Sequence, residues 1–342
     1  MTAPIDTNTH SDGAVTARAV RVRRWAASNR FVGVLVLLIV QIIIFSLTQP
    51  RFFSVPNIRV LLTSVAILWM IALGLTFVML TGGFDLSLGA MIGLAGFIFV
   101  GFFVNLGVPA PFAIVLTVLS GALLGGGING FLIGKVGMPF LVVTIGTLSL
   151  FQGTTYLVSG TQTISLTSSL LDAIGFNNAL GVPITVWFMI GTLIVSQFVL
   201  RRTYFGRDVY AVGGNAKAAR LAGINVTRTV IAAYAIAGGL AALSGVLEAS
   251  QISAASPTGD PTIIFAATAA VLLGGTVLGG GEGGVAGTVV GVLFLGVLQN
   301  GLSISGLASA WQQVFSGIIV ILAVLFHQLQ HKGTSFLHPL SE

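Results

Sequence analysis

The sequence predicts an all-α polytopic membrane protein with about ten transmembrane helices. Of its 342 residues, 55% are hydrophobic and only 7% are charged, and the mean hydropathy is +1.02. A soluble domain of this length needs far more charge on its water-facing surface. The apolar residues also fall into successive runs near the roughly 20 residues that a bilayer core requires. The composition therefore excludes a soluble globular protein.

The apolar runs divide the chain into a transmembrane domain, residues 31–330, and two tails. Residues 1–30 begin with little apolar content and are expected to be a partly disordered cytoplasmic tail. No small-residue cleavage site follows the first run, so that run is expected to remain as a span. Residues 331–342 form a second cytoplasmic tail. The ten predicted spans are residues 31–47, 60–80, 86–104, 110–133, 140–158, 182–200, 229–247, 263–278, 285–302 and 307–326.

The basic residues predict the orientation of these spans. If the N-terminus is cytoplasmic, the inner segments hold all the Lys and Arg residues except Arg51 and Arg59, which is the asymmetry that the positive-inside rule produces. Both termini and residues 201–228 are then cytoplasmic, and residues 159–181 and 250–262 are outside. Residues 159–181 form either a solvated loop or part of an outer docking surface, with a short helix at 168–176. The pI near 10.3 reflects these inner segments and does not indicate nucleic-acid binding.

Glycine is unusually frequent, at 45 residues, and much of it is spaced for helix packing. Gly126, Gly130 and Gly134 share one face of the fourth span, and the pairs at 89/93 and 287/291 repeat this spacing. Small faces let helix backbones approach closely in lipid, so these residues are interpreted as packing surfaces rather than as a pathway. Residues 82–93 and 279–291 each place an acid after paired glycines. This similarity suggests an internal repeat.

Asp85 and Glu282 lie in these two glycine turns. An acid at membrane depth is costly and usually functional, so ion coupling or ligand binding must be considered. Each acid also precedes an apolar helix, whose positive end stabilises a carboxylate. We therefore interpret Asp85 and Glu282 as cap and gate residues, with proton transfer as the alternative.

Uncharged polar residues within the spans are candidates for contact with a hydroxyl-rich ligand. Amide and hydroxyl groups provide the donors and acceptors that such a ligand needs. For each of them, hydrogen bonding between helices is the alternative. No set of carboxylates, histidines or cysteines has the spacing of a metal site. The candidate pathway residues are Asn129, Thr144, Gln152, Gln299, Asn300 and Ser303.

Residues 201–228 are the one long polar interruption in the chain. Asn215 is a good N-cap, residues 216–222 are strong helix formers, and Gly223 offers a left-handed stop. A helix of about two turns is marginal alone in water, so it should be docked against something. It lies either among anionic headgroups or against a partner protein, whose cleft the small alanine side chains would fit.

Residues 206–224 resemble the cytoplasmic coupling loop of permease subunits of bacterial ABC importers. The family is that of ribose, xylose and related sugar permeases, within the branched-chain amino acid permease superfamily. Residues 82–96 and 273–302 resemble two further motifs, and the three follow the family's order over about residues 31–330. The resemblance implies that the coupling residues are Gly206, Gly213, Gly214, Asn215, Ala216, Ala218, Ala219, Ala222 and Gly223.

The resemblance also implies partners, because the chain lacks the Gly-x-x-x-x-Gly-Lys-Ser/Thr loop that binds ATP phosphates. No bound cofactor is expected, and ATP and magnesium would bind to a separate ATP-binding subunit. The resemblance implies a homodimer in the bacterial inner membrane, and a periplasmic or lipid-anchored binding protein that delivers a monosaccharide or polyol. A same-superfamily permease for branched-chain amino acids or nucleosides, an ion-coupled secondary transporter, and a passive channel or structural membrane protein are the alternatives.

Overall fold

A computed structural model describes residues 32–257, 262–308, 310–315, 317–318 and 321–322. The two predicted tails lie outside these residues. In the described part the chain is a helical bundle with four very short strands. The helices, in chain order, are α1 (Val32–Thr48), α2 (Val55–Leu80), α3 (Leu88–Val100), α4 (Ala110–Leu124), α5 (Phe140–Ser159), α6 (Ser169–Phe176), α7 (Ile184–Arg202), α8 (Tyr204–Gly214), α9 (Ala216–Leu221), α10 (Val226–Ile252), α11 (Ile263–Leu273) and α12 (Val285–Ile304).

Two of these helices continue in π-helical geometry, in which backbone hydrogen bonds join residues i and i+5. Helix α3 continues through Gly101–Asn105, and α4 continues through Gly125–Gly130 and Leu132–Val136. With these extensions, seven helices within the described residues are long and apolar enough to cross a membrane. They are α2, α3, α4, α5, α7, α10 and α12, and they confirm seven of the ten predicted spans. Helix α1 has 17 residues and lies at the position of the first predicted span.

The eighth predicted span, residues 263–278, is wrong as a full-length helix. Helix α11 has 11 residues and ends at Leu273, which corresponds to about 16 Å at 1.5 Å per residue. The chain nevertheless connects β4 (Ala254–Ala255) at one end of the bundle with Gly280 at the other. The chain continues across the bundle after α11 in non-helical conformation, through buried Gly274, Gly275 and Thr276. Non-helical backbone is tolerated at this depth because protein surrounds it. The tenth predicted span extends past residue 322 and lies partly outside the described residues.

Helices α2 and α10 form the centre of the bundle. Helix α10 packs against α2, α3 and α4, while α11 and α12 pack against each other and against α2. Helix α2 is almost completely buried from Val65 to Leu80, and α10 is buried along most of its length. Helices α5 and α7 lie at the periphery, with most of their surface exposed in the single chain.

The glycine ladder predicted for the fourth span packs α4 against α10. A Cβ atom on Gly126 would lie 2.8 Å from the Ala235 Cβ, and one on Gly130 would lie 2.8 Å from the Ile231 Cα. Both distances are shorter than side chains allow, so the helix backbones are in direct contact. Gly287 and Gly291 approach α11 in the same way. These residues are packing surfaces, as predicted.

The connections collect at two ends of the bundle. At one end, β1 (Ile164–Ser165) pairs antiparallel with β4, and β2 (Asn178–Ala179) pairs with β3 (Val182–Pro183). Helix α6 confirms the short helix predicted at 168–176 and packs on α10. The opposite end carries α8 and α9. Among the described basic residues, only Arg51 and Arg59 lie toward the α6 end, and seven lie at the α8–α9 end.

Candidate functional site

Helix α8 lies in the long polar segment 201–228, in a part for which the sequence predicts no helix. Its N-cap is Thr203, whose Oγ1 accepts a hydrogen bond from the Gly206 N–H at 3.1 Å. A Cβ on Gly206 would overlap the carbonyl oxygens of Val199 and Leu200, so the turn from α7 into α8 requires glycine. Val209 and Val212 are buried on one face. The helical spacing of Phe205, Val209 and Val212 is the signal that the sequence analysis missed.

Helix α9 confirms the helix predicted after Asn215. The Asn215 Oδ1 accepts a hydrogen bond from the Ala218 N–H at 3.0 Å, as an N-cap should. The helix ends at Leu221, with Ala222 as its C-cap. Gly223 follows with a φ of 84°, the left-handed conformation predicted for it.

One of the small α9 side chains predicted to contact a partner faces the interior of its own chain instead. Ala219 is only 5% exposed and packs inside its own chain, so its small side chain is explained by internal packing. Ala216, Ala218 and Ala222 are exposed. Leu221, which sequence reasoning did not select, is 91% exposed. Ala218, Leu221 and Ala222 have the spacing of one helix face, and this face is open.

Helix α8 ends in a contact between three backbones that has no room for side chains. A Cβ on Gly213 would overlap the Leu80 carbonyl oxygen and the Gly281 nitrogen. The Gly281 N–H donates to that same carbonyl oxygen at 2.9 Å. A Cβ on Gly280 would lie 2.6 Å from the Gly82 nitrogen. We call this cluster of Gly82, Gly213, Gly280 and Gly281 the glycine contact.

The glycine contact brings together the three sequence motifs. Gly82 follows α2, Gly213 lies in the last turn of α8, and Gly280 and Gly281 lie in the connection between α11 and α12. Gly280 and Gly281 have φ values of 83° and 74°, which side-chain-bearing residues rarely adopt. Nearby, the Tyr210 hydroxyl donates to the Gly283 carbonyl oxygen at 3.1 Å. Burial raises the pKa of Tyr210, and the charge of Arg201 opposes this shift.

Glu282 is exposed in the same connection. It borders a cleft of about 380 Å³ between α7, α8 and this connection, together with Gln197, Arg201 and Tyr210. Helix α12 has Gly284 as its N-cap and no side-chain cap hydrogen bond. Glu282 lies two residues before this N-cap, and its cap and gate roles remain predictions.

Asp85 is fully buried and organises the turn before α3. Its Oδ1 accepts hydrogen bonds from the Ser87 N–H at 2.9 Å and the Ser87 hydroxyl at 2.6 Å. Ser87 is the N-cap of α3, which has no side-chain cap hydrogen bond of its own. Ser87 already has helical φ and ψ values of −75° and −14°, so the bond from its N–H places the Asp85 carboxylate at the start of α3. The cap and gate roles of Asp85 remain predictions. Burial raises the pKa of Asp85, and the hydrogen bonds from Ser87 and Asn129 oppose this.

Asn129 completes this cluster and does not line an open pathway. It is buried in the π-helical part of α4, where its Nδ2 donates to the Ser87 Oγ at 2.8 Å. The same nitrogen lies 3.2 Å from the Asp85 Oδ2. The sequence places Asp85 and Asn129 44 residues apart, so this pairing was missed.

The remaining predicted pathway residues are spread over the bundle. Thr144 is buried in α5, while Gln152 is half-buried there and donates to the Tyr156 hydroxyl at 3.1 Å. Asn300 exchanges two hydrogen bonds with Asn57, at 2.9 and 3.0 Å, which join α12 to α2 at the α6 end. In α12, Gln299 is half-buried and Ser303 is exposed. The structure does not bring these residues to one site.

The bundle and its glycine-rich site are those of a polytopic membrane permease. A family model described as the branched-chain amino acid transport system permease component matches residues 57–324. The chain therefore belongs to this permease family. No solved structure matches the chain significantly.

Curated relatives match the chain over nearly its whole length. The ribose import permease protein of Bacillus subtilis strain 168 is 40% identical over 297 residues, covering 86% of this chain and 90% of the relative. That of Escherichia coli K12 is 34% identical over 315 residues, covering 91% and 97%. The L-arabinose ABC transporter permease protein of Azospirillum brasilense is 31% identical over 328 residues, covering 95% of both chains.

Gly213→Ala is expected to destabilise the α8–α9 end. One methyl group must displace the Leu80 carbonyl and break its hydrogen bond with Gly281, and overpacking of this kind costs about 1–3 kcal/mol. The thermal midpoint of the purified protein should fall. Gly214→Ala is the matched control, because a Cβ there meets no atom within 4 Å. Equal midpoints for the two variants would contradict the contact.

Proposed function

We propose that the chain is the membrane-spanning permease of an ATP-driven ABC importer that translocates a monosaccharide or polyol. The observation that carries this proposal is the similarity over nearly the whole chain to the ribose import permease protein of Bacillus subtilis. The arabinose permease from Azospirillum brasilense, named as part of an ABC transporter, is similar over the same extent. The permease itself catalyses no reaction. ATP and magnesium bind to a separate ATP-binding subunit.

Helices α8 and α9 dock that ATP-binding subunit. Exposed Leu221, flanked by Ala218 and Ala222, offers an apolar contact between small side chains that let a partner approach closely. Lys217 and Arg220 surround it with positive charge, which favours an acidic rim on the partner. The glycine contact makes this surface rigid with respect to α2 and α12, so force on α9 reaches the membrane helices.

The orientation follows from the charge at the two ends. The α8–α9 end carries seven of the nine described basic residues, which supports a cytoplasmic position for this end. The ten predicted crossings then put both termini on the same side. The α6 end then faces the periplasm in the bacterial inner membrane. There, Leu180 is 90% exposed at the tip of the β2–β3 turn, and Phe176, the last residue of α6, is also exposed. This turn and α6 form a docking surface for a periplasmic or lipid-anchored binding protein.

The solute crosses between two copies of the chain, along α5. This helix is the least apolar of the seven candidate spans, although most of it is not covered by its own chain. Gly146, Ser149, Gly153 and Tyr156 follow one face at helical spacing, and Gln152 lies beside them. A lipid-facing surface does not need these amide and hydroxyl groups, whereas a passage for a hydroxyl-rich solute needs them as donors and acceptors.

Two other functions are distinguished by specific observations. The family description favours a permease for branched-chain amino acids, and competition of sugar uptake by amino acids would support it. An ion-coupled transporter needs ionisable groups deep in the membrane. In the described spans the charged residues lie near the helix ends, and Asp85 lies in a connection.

Leu221→Gln is expected to weaken assembly with the co-expressed ATP-binding subunit by roughly ten- to a hundredfold, the effect of losing about 1.5–3 kcal/mol of leucine burial. Co-purification from detergent and ATP hydrolysis of the eluate measure this loss. Leu180→Gln is the matched control, because that leucine is equally exposed at the other end. It should leave assembly intact. Undiminished assembly of Leu221→Gln would contradict docking at α9.

Gln152→Leu is expected to lower uptake of radiolabelled ribose roughly tenfold, since losing a polar contact to a ligand costs about 1 kcal/mol or more. Assembly and membrane abundance should stay normal, because Gln152 lies at the periphery. Gln299→Leu tests the other glutamine among the pathway candidates and should leave uptake nearly unchanged. The reverse order of effects would place the pathway along α12 instead of α5.

A further inference from the structure

The connection between α2 and α3, residues 81–87, is tied to three separate elements. At Gly82 it enters the glycine contact beside α8. The Phe84 carbonyl oxygen accepts a hydrogen bond from the Tyr234 hydroxyl of α10 at 3.1 Å. At Asp85 and Ser87 it binds Asn129 of α4. This connection therefore joins the proposed docking end of the chain to α4.

The partner in α4 lies in an unusual helical segment. Asn129 belongs to the π-helical stretch Gly125–Gly130, and the wide geometry continues from Leu132 to Val136. Such segments contain more residues per turn than an α-helix and are frequent at functional sites. A return to α-helical geometry would turn Asn129 about the helix axis relative to the residues before it. It would also shift the glycine face that packs α4 against α10. Asn129 would then leave Asp85.

Only one end of the Asn129 side-chain amide is hydrogen-bonded. Its Nδ2 is held by Asp85 and Ser87, whereas its buried Oδ1 has no hydrogen-bond partner among the described residues. Buried polar atoms are seldom left without a partner, and each such atom calls for an explanation. The amide is therefore only partly satisfied in this conformation, as expected of a group that has a second position.

The segment after Asn129 leads directly into the proposed pathway helix. Gly137 ends the wide stretch in the left-handed conformation, with a φ of 82°, and α5 starts at Phe140. Rotation of the last turns of α4 therefore changes the direction in which the chain enters α5. Helix α5 also packs on α3, which begins just after Asp85.

We propose that Asp85 is a positioning residue that holds α4 in π-helical geometry through Asn129, and that this bond breaks during each transport cycle. Movement of the glycine contact, caused by the ATP-binding subunit, pulls on residues 81–87 and releases Asn129. The end of α4 then returns to α-helical geometry and reorients α5. This inference rests on the proposed function, and it assigns the route by which docking reaches the pathway.

The chemistry of the cluster predicts which substitution preserves the link. Asn at position 85 keeps an oxygen for the two hydrogen bonds from Ser87. Its amino group would face Asn129, whose amide can turn over and present its unpartnered Oδ1. Asp85→Asn should therefore keep most of the uptake, whereas Asp85→Ala removes the carboxylate that binds both Asn129 and Ser87 and leaves Asn129 only the Ser87 Oγ. A role that depends on charge or on proton transfer predicts the opposite for Asp85→Asn.

The direct test uses a single cysteine, since the chain has none of its own. Gly127 is exposed in the π-helical stretch, and a Cβ there meets no atom within 4 Å. In the assembled transporter carrying Gly127→Cys, the rate of maleimide labelling should differ at least severalfold between the nucleotide-free state and the vanadate-trapped state. Equal rates in a complex that still imports solute would overturn the proposal.

The variants test the role of Asp85 in the same complex. Asp85→Ala should retain the ATP-binding subunit and basal ATP hydrolysis, lose roughly tenfold in stimulation by the binding protein, a typical coupling effect, and abolish the labelling difference. Asn129→Ala should have the same effect. The double variant should be no worse than either single variant, because each single substitution already removes the link between Asp85 and Asn129. Full stimulation in either single variant would overturn the proposal. Loss of the ATP-binding subunit from the parent complex would instead count against the proposed function.

Discussion

The structure depends on a place where three backbones touch without side chains between them. Gly213 meets the Leu80 carbonyl and the Gly281 amide so closely that one methyl group would separate them. Gly82 and Gly280 extend the same contact. Because direct backbone packing leaves little freedom of movement, α2, α8 and the connection to α12 move as one body. A short helix such as α9, marginal by itself, gains its fixed position from this body.

The proposed site divides into a docking part and a polar part that serve different physical needs. At α9 the exposed face is small, apolar at Leu221 and basic around it, as suits a protein partner. At Asp85 the polar groups are buried and bonded to one another, so they are suited to holding geometry and not to contacting solute. The proposed pathway along α5 uses exposed amide and hydroxyl groups instead. Position in the fold, more than residue type, separates these roles.

Much of this arrangement was predictable from local sequence. The cap at Asn215, the stop at Gly223 and the packing of Gly126 and Gly130 depend on residues a few positions apart or on a regular face. Seven spans followed from apolar length. The sequence did not reveal that Ala219 faces inward or that Asn129 binds Asp85, since both depend on neighbours distant in the chain. Helix α8 was missed because its charged residues hid the period of Phe205, Val209 and Val212.

Hydrogen exchange at the glycine contact tests the central claim most directly. Residues 279–284 have no regular secondary structure, yet the Gly281 N–H is hydrogen-bonded to the Leu80 carbonyl and enclosed by Gly213. Backbone amides in such contacts exchange only when the region opens. Deuterium uptake of this peptide in the purified protein should therefore be slow, and it should become fast in Gly213→Ala but not in Gly214→Ala. Uptake in the parent protein as fast as that of an exposed loop would contradict the account.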